Sequence, residues 1–315
     1  MGAAMMGVAA GVLLVLGGLG RWYFYTPMPP AAAWAAERRT VTVGGREREF
    51  WVVAPPTVRA HGPVLLVLHG SLMNGKKMRR MLGPVFERLA ERHGAVVVYP
   101  SGVEGHFNEG RLAAKYSART LNIDDVGLVR AIVDGLVATH AIDRTRVFGF
   151  GYSNGGGMAM RLAVEAPELV AGIIVANANL PTPDNHQWAL AAGAARAKVV
   201  LVEGTLDPIN PYAGGRVTIF GFSDRGMVCS APDSAAWFAQ HAGLAVAPLA
   251  DDTRRIGALA VRQQDWGSPP HVRLVTMQGA GHTVPQADYR FPKFLGATVQ
   301  SDEILQDAWA MLDGR

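Results

Sequence analysis

A single cysteine, Cys229, stands among 315 residues. No disulfide can form within the chain, so the fold must be held by its core. Nothing flanking that cysteine marks it as a nucleophile, and it reads as a small packed residue. Charge is sparse as well: 18% of residues are charged, the net formal charge is +4, and the arginines are scattered. Without a basic run or an interleaved aromatic stripe there is no footprint for nucleic acid, and a mildly basic solvated surface is the simpler reading. No internal repeat is present. No cluster of histidines and acids has metal-ligand spacing: Asp124 and Asp125 adjoin, but they open a predicted helix, where carboxylates stabilise the helix dipole. No metal is expected.

Charge is missing altogether from Met1 to Gly20, which are almost wholly apolar and are followed by Arg21 and the aromatic cluster Trp22 to Tyr25. Such a stretch is long enough to span a bilayer, with aromatics suited to its interface. A signal peptide is the competing reading, with cleavage sites in Ala31 to Ala35, although positive charge follows the apolar run rather than preceding it. Residues 1–25 are thus expected to be a signal peptide or membrane anchor, 26–39 a Pro- and Ala-rich linker, and 40–315 the catalytic domain. Export is expected, secreted or anchored through residues 1–20, with a cytoplasmic anchor orientation left open.

What the chain does have is alternation. Apolar runs at Pro63 to His69, Ala95 to Tyr99, Arg146 to Phe150, Ala171 to Val175, Lys198 to Val202 and Val272 to Met277 read as buried strands. Helical patterns lie between them at Lys76 to His93, Asn122 to Thr139, Met158 to Ala166 and Ser234 to His241, and Ser301 to Leu312 closes the chain. A hairpin over Thr40 to Val53 turns at Gly44-Gly45, and Leu259 to Gln264 is expected beside the last strand. The pattern predicts one α/β domain, a mostly parallel sheet with helices on both faces and its function at the carboxyl ends of the strands.

The strand ending at Phe150 runs into Gly151-Tyr152-Ser153-Asn154-Gly155, a serine between glycines ahead of a helix, which is the G-x-S-x-G elbow of serine hydrolases. A serine hydroxyl needs a histidine to take its proton and an acid to orient that histidine, in the chain order serine, acid, histidine. His282 follows the last strand within Gly279-Ala280-Gly281-His282-Thr283, where small residues let it reach the elbow. His271 precedes that strand and belongs at the other end of the sheet. Asp207 follows a strand as the acid should, while Glu203 still lies on it. The oxyanion needs two backbone donors: Asn154 supplies one and the His69-Gly70-Ser71 turn the other, through Ser71, with Gly70 permitting close approach. His69 is expected to fix that turn. Phe107, Trp188, Tyr212 and Phe222 are candidate pocket walls, and the triad requires neither metal nor organic cofactor.

These residues resemble the polyhydroxybutyrate depolymerase and feruloyl or acetylxylan esterase group of α/β-hydrolases. The matching blocks are LVLHGS from Leu66, YPSG from Tyr99, FNEGR from Phe107, IDDVGLVRAIVDGL from Ile123, GYSNGGGMAMRL from Gly151, GTLDPINPYAGG from Gly204 and GAGHTVP from Gly279. The resemblance implies an α/β-hydrolase fold and Ser153, Asp207 and His282 as the triad of a serine esterase, with Gly70, Phe107, Asn108, Tyr212 and Val284 near its small-molecule or oligomeric ester. The group commonly carries tryptophan where this chain has Phe107 and Val284, which implies a reshaped pocket. The chain also lacks the extra cysteines and binding module of polymer-degrading members, so small acyl or aromatic esters are expected, with hydroxyalkanoate depolymerisation or peptide hydrolysis as the alternatives.

Overall fold

The computed structural model describes residues 18, 20–189 and 196–314. The expected signal peptide or anchor falls largely outside them; among the described residues no helix is long and apolar enough to cross a membrane.

A hairpin of β1 (Glu37–Val43) and β2 (Arg46–Val53) leads into β3 (Val64–Leu68), helix α1 (Gly75–His93), β4 (Val96–Pro100), a short α2 (Ser117–Thr120) and α3 (Asp125–His140). The elbow follows as β5 (Val147–Tyr152) and α4 (Asn154–Glu165), then β6 (Gly172–Ala176), β7 (Lys198–Gly204) and a two-residue ribbon of β8 (Gly215–Arg216) and β9 (Met227–Val228). Helix α5 (Ala231–His241), the strands β10 (Ala250–Ile256), β11 (Leu259–Trp266) and β12 (Val272–Met277), and α6 (Glu303–Asp313) complete the chain. The main sheet has the order β1-β2-β4-β3-β5-β6-β7-β12-β11-β10. Its central neighbours from β4 to β12 pair in parallel, while β1, β2, β10 and β11 pair antiparallel at the two edges.

Successive strand residues point to opposite faces, and the two cores divide accordingly. Val64, Leu66 and Leu68 meet α3, α4 and α5 on one side. Leu65 and Val67 meet α1 and α6 on the other, where Phe86 and Trp309 are fully buried. With both faces covered, the strands read as unbroken apolar runs in the sequence.

Several elements differ from expectation: the helix expected from Asn122 begins at Asp125 and the one expected from Ser234 begins at Ala231, and three further differences have a local reason. The first strand starts at Glu37, so residues 37–39 of the expected linker belong to the sheet, paired through Glu37↔Val52 and its neighbours. The rest of that segment is seated on α1, whose Arg79 and Arg80 donate to the carbonyls of Trp34 and Pro29. Helix α4 begins at Asn154, ahead of the predicted start, because Gly155 to Gly157 form its first turn. Strand β10, a charged and mostly exposed edge strand, shows no apolar alternation that would announce it.

Candidate active site

Ser153 sits between β5 and α4 with φ of 54° and ψ of −116°, a conformation that L-residues rarely adopt. Neighbours hold it there: the Ser153 amide donates to the Ala176 carbonyl at 2.9 Å, and the Ser153 carbonyl accepts from the Gly157 amide at 3.0 Å. Behind the turn, α4 lies so close to β3 that a Cβ on Gly155 would stand 2.3 Å from the Leu68 carbonyl oxygen. Only glycine fits, which explains the small residues around the serine. The α4 start also leaves the Asn154 amide in the first helical turn, where N–H groups have no intrahelical acceptor and can turn to an anion.

The Asn154 side chain does something else. Its Oδ1 accepts from the Phe107 amide at 2.8 Å, while Nδ2 donates to the Phe107 carbonyl at 3.0 Å and to the Tyr116 hydroxyl at 3.1 Å. This clamps the loop over residues 107–111 to the elbow. The other oxyanion candidate lies on the turn after β3: Ser71 is half-buried, and a Cβ on Gly70 would be 3.5 Å from the Ser153 Cβ.

The Nδ1 of His282 meets Asp207 Oδ2 at 2.6 Å, with both side chains buried. The carboxylate accepts, so Nδ1 carries the proton and Nε2 is left with a free lone pair. The second oxygen of Asp207 accepts from the amides of Ile209 and Asn210 at 2.7 and 2.8 Å, which fixes its plane. Tyr152, the residue before the serine, donates its hydroxyl to the His282 carbonyl at 2.9 Å, and the two rings stand 5.1 Å apart. Histidine and elbow are thereby tied together. Glu203, the rival acid, does not reach the imidazole; its Oε1 accepts from the Ala178 amide at 3.0 Å. Burial, reinforced by the charge of Asp207, pushes the Glu203 carboxyl well above its ordinary range.

His69 is wholly buried with both nitrogens engaged. Nε2 accepts from the Gly102 amide at 2.8 Å, which places the proton on Nδ1 and lets it donate to the Gly70 carbonyl at 2.7 Å. Burial lowers its pKa to about 4.

A narrow cavity of about 20 Å³ opens beside Ser153. Its walls include Glu109, Arg111, Asn177, Asn179, Trp188, Ile209, Asn210 and Val217. Trp188 is the one expected wall found there, pinned by its indole N–H to the Glu109 carbonyl at 2.7 Å. Other expected substrate contacts lie elsewhere. Phe107 is buried against the His69 ring at 4.4 Å between centroids, Val284 is in the core, Tyr212 bonds Thr276 at 2.8 Å, and Phe222 points to solvent. Asn108 is buried, donating from its amide to Asp125 Oδ2 at 2.7 Å and from Nδ2 to the Ile123 carbonyl at 3.0 Å. Asp125 also takes Arg48 at 2.5 Å, a buried ion pair rather than a surface dipole contact; Asp124 is the helix cap, accepting from the Gly127 amide at 2.7 Å. The polar cavity residues that sequence reasoning passed over, Glu109, Arg111, Asn177, Asn179 and Asn210, lie in loops, and three of them, Glu109, Arg111 and Asn210, stood inside the quoted FNEGR and GTLDPINPYAGG blocks.

A parallel sheet with this edge pattern, a strained serine at its central elbow and a buried carboxylate–imidazole pair beside it define an α/β-hydrolase. A model of the family described as Esterase PHB depolymerase matches residues 50–233. The chain belongs to that family and is a carboxylic-ester hydrolase. It is similar to NocK of Nocardia uniformis subsp. tsuyamanensis, which carries the name of an esterase, with 28% identity over 299 residues, 87% of this chain and 82% of NocK. A poly(3-hydroxybutyrate) depolymerase of Ralstonia pickettii is 30% identical over 131 residues, 39% of this chain and 27% of that protein. Among solved structures, an acetyl xylan esterase from Aspergillus awamori superposes with a TM-score of 0.56 at 15% identity, over 78% of this chain and 94% of that one. At such identity the likeness speaks for the fold.

Proposed function

We propose that the chain hydrolyses esters of short acyl groups through a Ser153–His282–Asp207 triad. The observation that carries this reading is the buried Asp207–His282 hydrogen bond at 2.6 Å, tied to the elbow through the Tyr152 hydroxyl. The Ser153 hydroxyl oxygen attacks the ester carbonyl while His282 Nε2 takes its proton, and Asp207 stabilises the imidazolium. The amides of Asn154 and Ser71 receive the oxyanion. As the intermediate collapses, the carbon–alkoxide bond breaks and the alcohol leaves with the proton from His282. Water then attacks the acyl-serine by the same route and releases the acid. The cavity of about 20 Å³ beside Ser153 favours acetyl-sized groups over bulky aromatic ones on the acid side. Residues 1–20 serve export or tethering.

A second reading, hydroxyalkanoate esters, draws on two cavity atoms. Asn179 Nδ2 is spent on the Pro211 carbonyl and Asn210 Oδ1 on the Asn179 amide. Among the described residues Asn179 Oδ1 and Asn210 Nδ2 have no partner, an acceptor and a donor that suit a hydroxyl. The test is labelling by a fluorophosphonate probe, expected in the wild type and absent in Ser153→Ala, followed by rates on acetyl, butyryl, feruloyl and hydroxybutyryl esters. Labelling that survives Ser153→Ala overturns the triad; a preference for feruloyl esters overturns the short-acyl choice.

A further inference from the structure

The cavity walls Ile209 and Val217 are not isolated. With Val228 they form a small apolar cluster against which Ile219 and Leu295 pack. The neighbours of those two residues extend the cluster outward: Phe220 and Phe294 have ring centroids 5.5 Å apart, and Phe294 lies 5.6 Å from Phe24. Phe24 belongs to the aromatic stretch that follows the uncharged residues 1–20, and Lys293 Nζ stands 3.0 Å above the Trp22 ring. A continuous apolar path therefore runs from the cavity beside Ser153 to the aromatic cluster. The loops that carry the reactive groups also end in bare apolar tips. Leu72 follows Ser71, Leu206 precedes Asp207, and Phe222 lies beyond Val217; the three are between 69% and 78% exposed.

Solitary exposed apolar residues are ordinary, but a patch joined to a catalytic cavity marks an interaction surface. Two of its neighbours are cations seated over aromatic rings: Lys293 over Trp22, and Arg21 over Tyr25 at 4.4 Å. Aromatic rings interleaved with cations match the headgroup boundary of an anionic bilayer. The preceding stretch of charge-free residues points to the same occupant.

We propose that the face formed by Trp22 to Tyr25, Phe220, Phe222 and Phe294 lies on an anionic lipid bilayer, so that the Ser153 cavity takes its esters from the membrane surface. The inference rests on the ester-hydrolase reading of that cavity. It goes beyond a tether, because it fixes which side of the molecule faces the lipid.

The full-length chain and its Phe24→Ser/Phe220→Asn variant are given two acetates: p-nitrophenyl acetate in water, and the acetate of a long-chain fluorescent alcohol dissolved in phosphatidylcholine vesicles with or without phosphatidylglycerol. Asparagine suits the left-handed backbone of Phe220, whose φ is 50°. The expected result is a fall of about tenfold on the vesicle-borne ester, larger with phosphatidylglycerol, and a change within about twofold on the soluble one. A chain held by residues 1–20 alone would keep the same ratio of the two rates in both forms, and that result overturns the proposal. So does a variant that loses only the clearing of a hydroxybutyrate polymer film, which assigns the face to a polymer surface. If the double substitution costs the soluble rate, Trp22→Ser, outside the sheet, carries the same two readouts. A wild type inactive on both acetates would instead overturn the ester-hydrolase reading.

Discussion

His69 and His282 follow strands on either side of β5, both are buried, and both lie in glycine-containing turns. What separates them is where their nitrogens go. His69 spends one on the Gly102 amide and the other on the Gly70 carbonyl, so it braces the turn that offers Ser71. His282 spends Nδ1 on a carboxylate, and among the described residues Nε2 has no hydrogen-bond partner. An imidazole bonded at both ends to backbone is scaffold, whereas one oriented at a single nitrogen can carry a proton. Burial without a carboxylate also drives His69 to about 4, a value at which it stays neutral throughout the range where esters are assayed.

The sharpest way to break this contrast is to remove the groups on the His282 side. Ser153→Ala and His282→Ala are each expected to lower kcat on p-nitrophenyl acetate by about 10⁴ to 10⁶, with the double variant little worse than either, because the residues act as a unit. Circular dichroism should show the fold retained. If His69→Gln matched that loss in a stably folded protein, the two roles would be exchanged. Asp207→Asn follows, at about 10⁴ in kcat, since the amide supports the wrong tautomer of His282.

His69 should declare itself in stability instead. Its folded pKa of about 4 lies below the unfolded value of 6.5, so the unfolded chain binds a proton that the native one refuses. The contribution is therefore absent as a penalty above about pH 6.5 and grows as pH falls toward 4, reaching about 3 kcal/mol. Urea unfolding across that window should show the slope in the wild type and a shallower one in His69→Gln; parallel slopes would remove His69 from the account. The smallest effect concerns the loop at Asn108. Because Asn108 is bonded within the core, Asn108→Ala should cost about 1–3 kcal/mol of stability while KM stays within about twofold. A large rise in KM at unchanged stability would return Asn108 to the substrate.

The strand and helix alternation was legible because parallel strands buried on both faces leave apolar runs that no solvent-facing pattern interrupts. Edge strand β10 was not, since its side chains face water and its place is set by pairing with β11. The elbow was legible from Gly151 to Gly155 because close packing behind a strained turn restricts side-chain size locally. Cavity walls such as Asn179 and Asn210 were not, because their polarity resembles that of any loop until the fold shows which of their atoms are already bonded.

The sequence by itself determined the order of the central strands and the main helices, the elbow at Ser153 and the loops that bear Asp207 and His282. These are local consequences of apolar periodicity and glycine placement, which act over a few residues. Only the tertiary structure decided which oxygen of Asp207 meets the imidazole, which backbone groups take the two nitrogens of His69, and that Asn108 and Asp125 belong to the core. Each depends on which atoms a side chain meets across the sheet, where residues 75 positions apart, as Asp207 and His282 are, become hydrogen-bonded neighbours. Direction and burial of that kind arise from packing and leave no periodic trace in the chain.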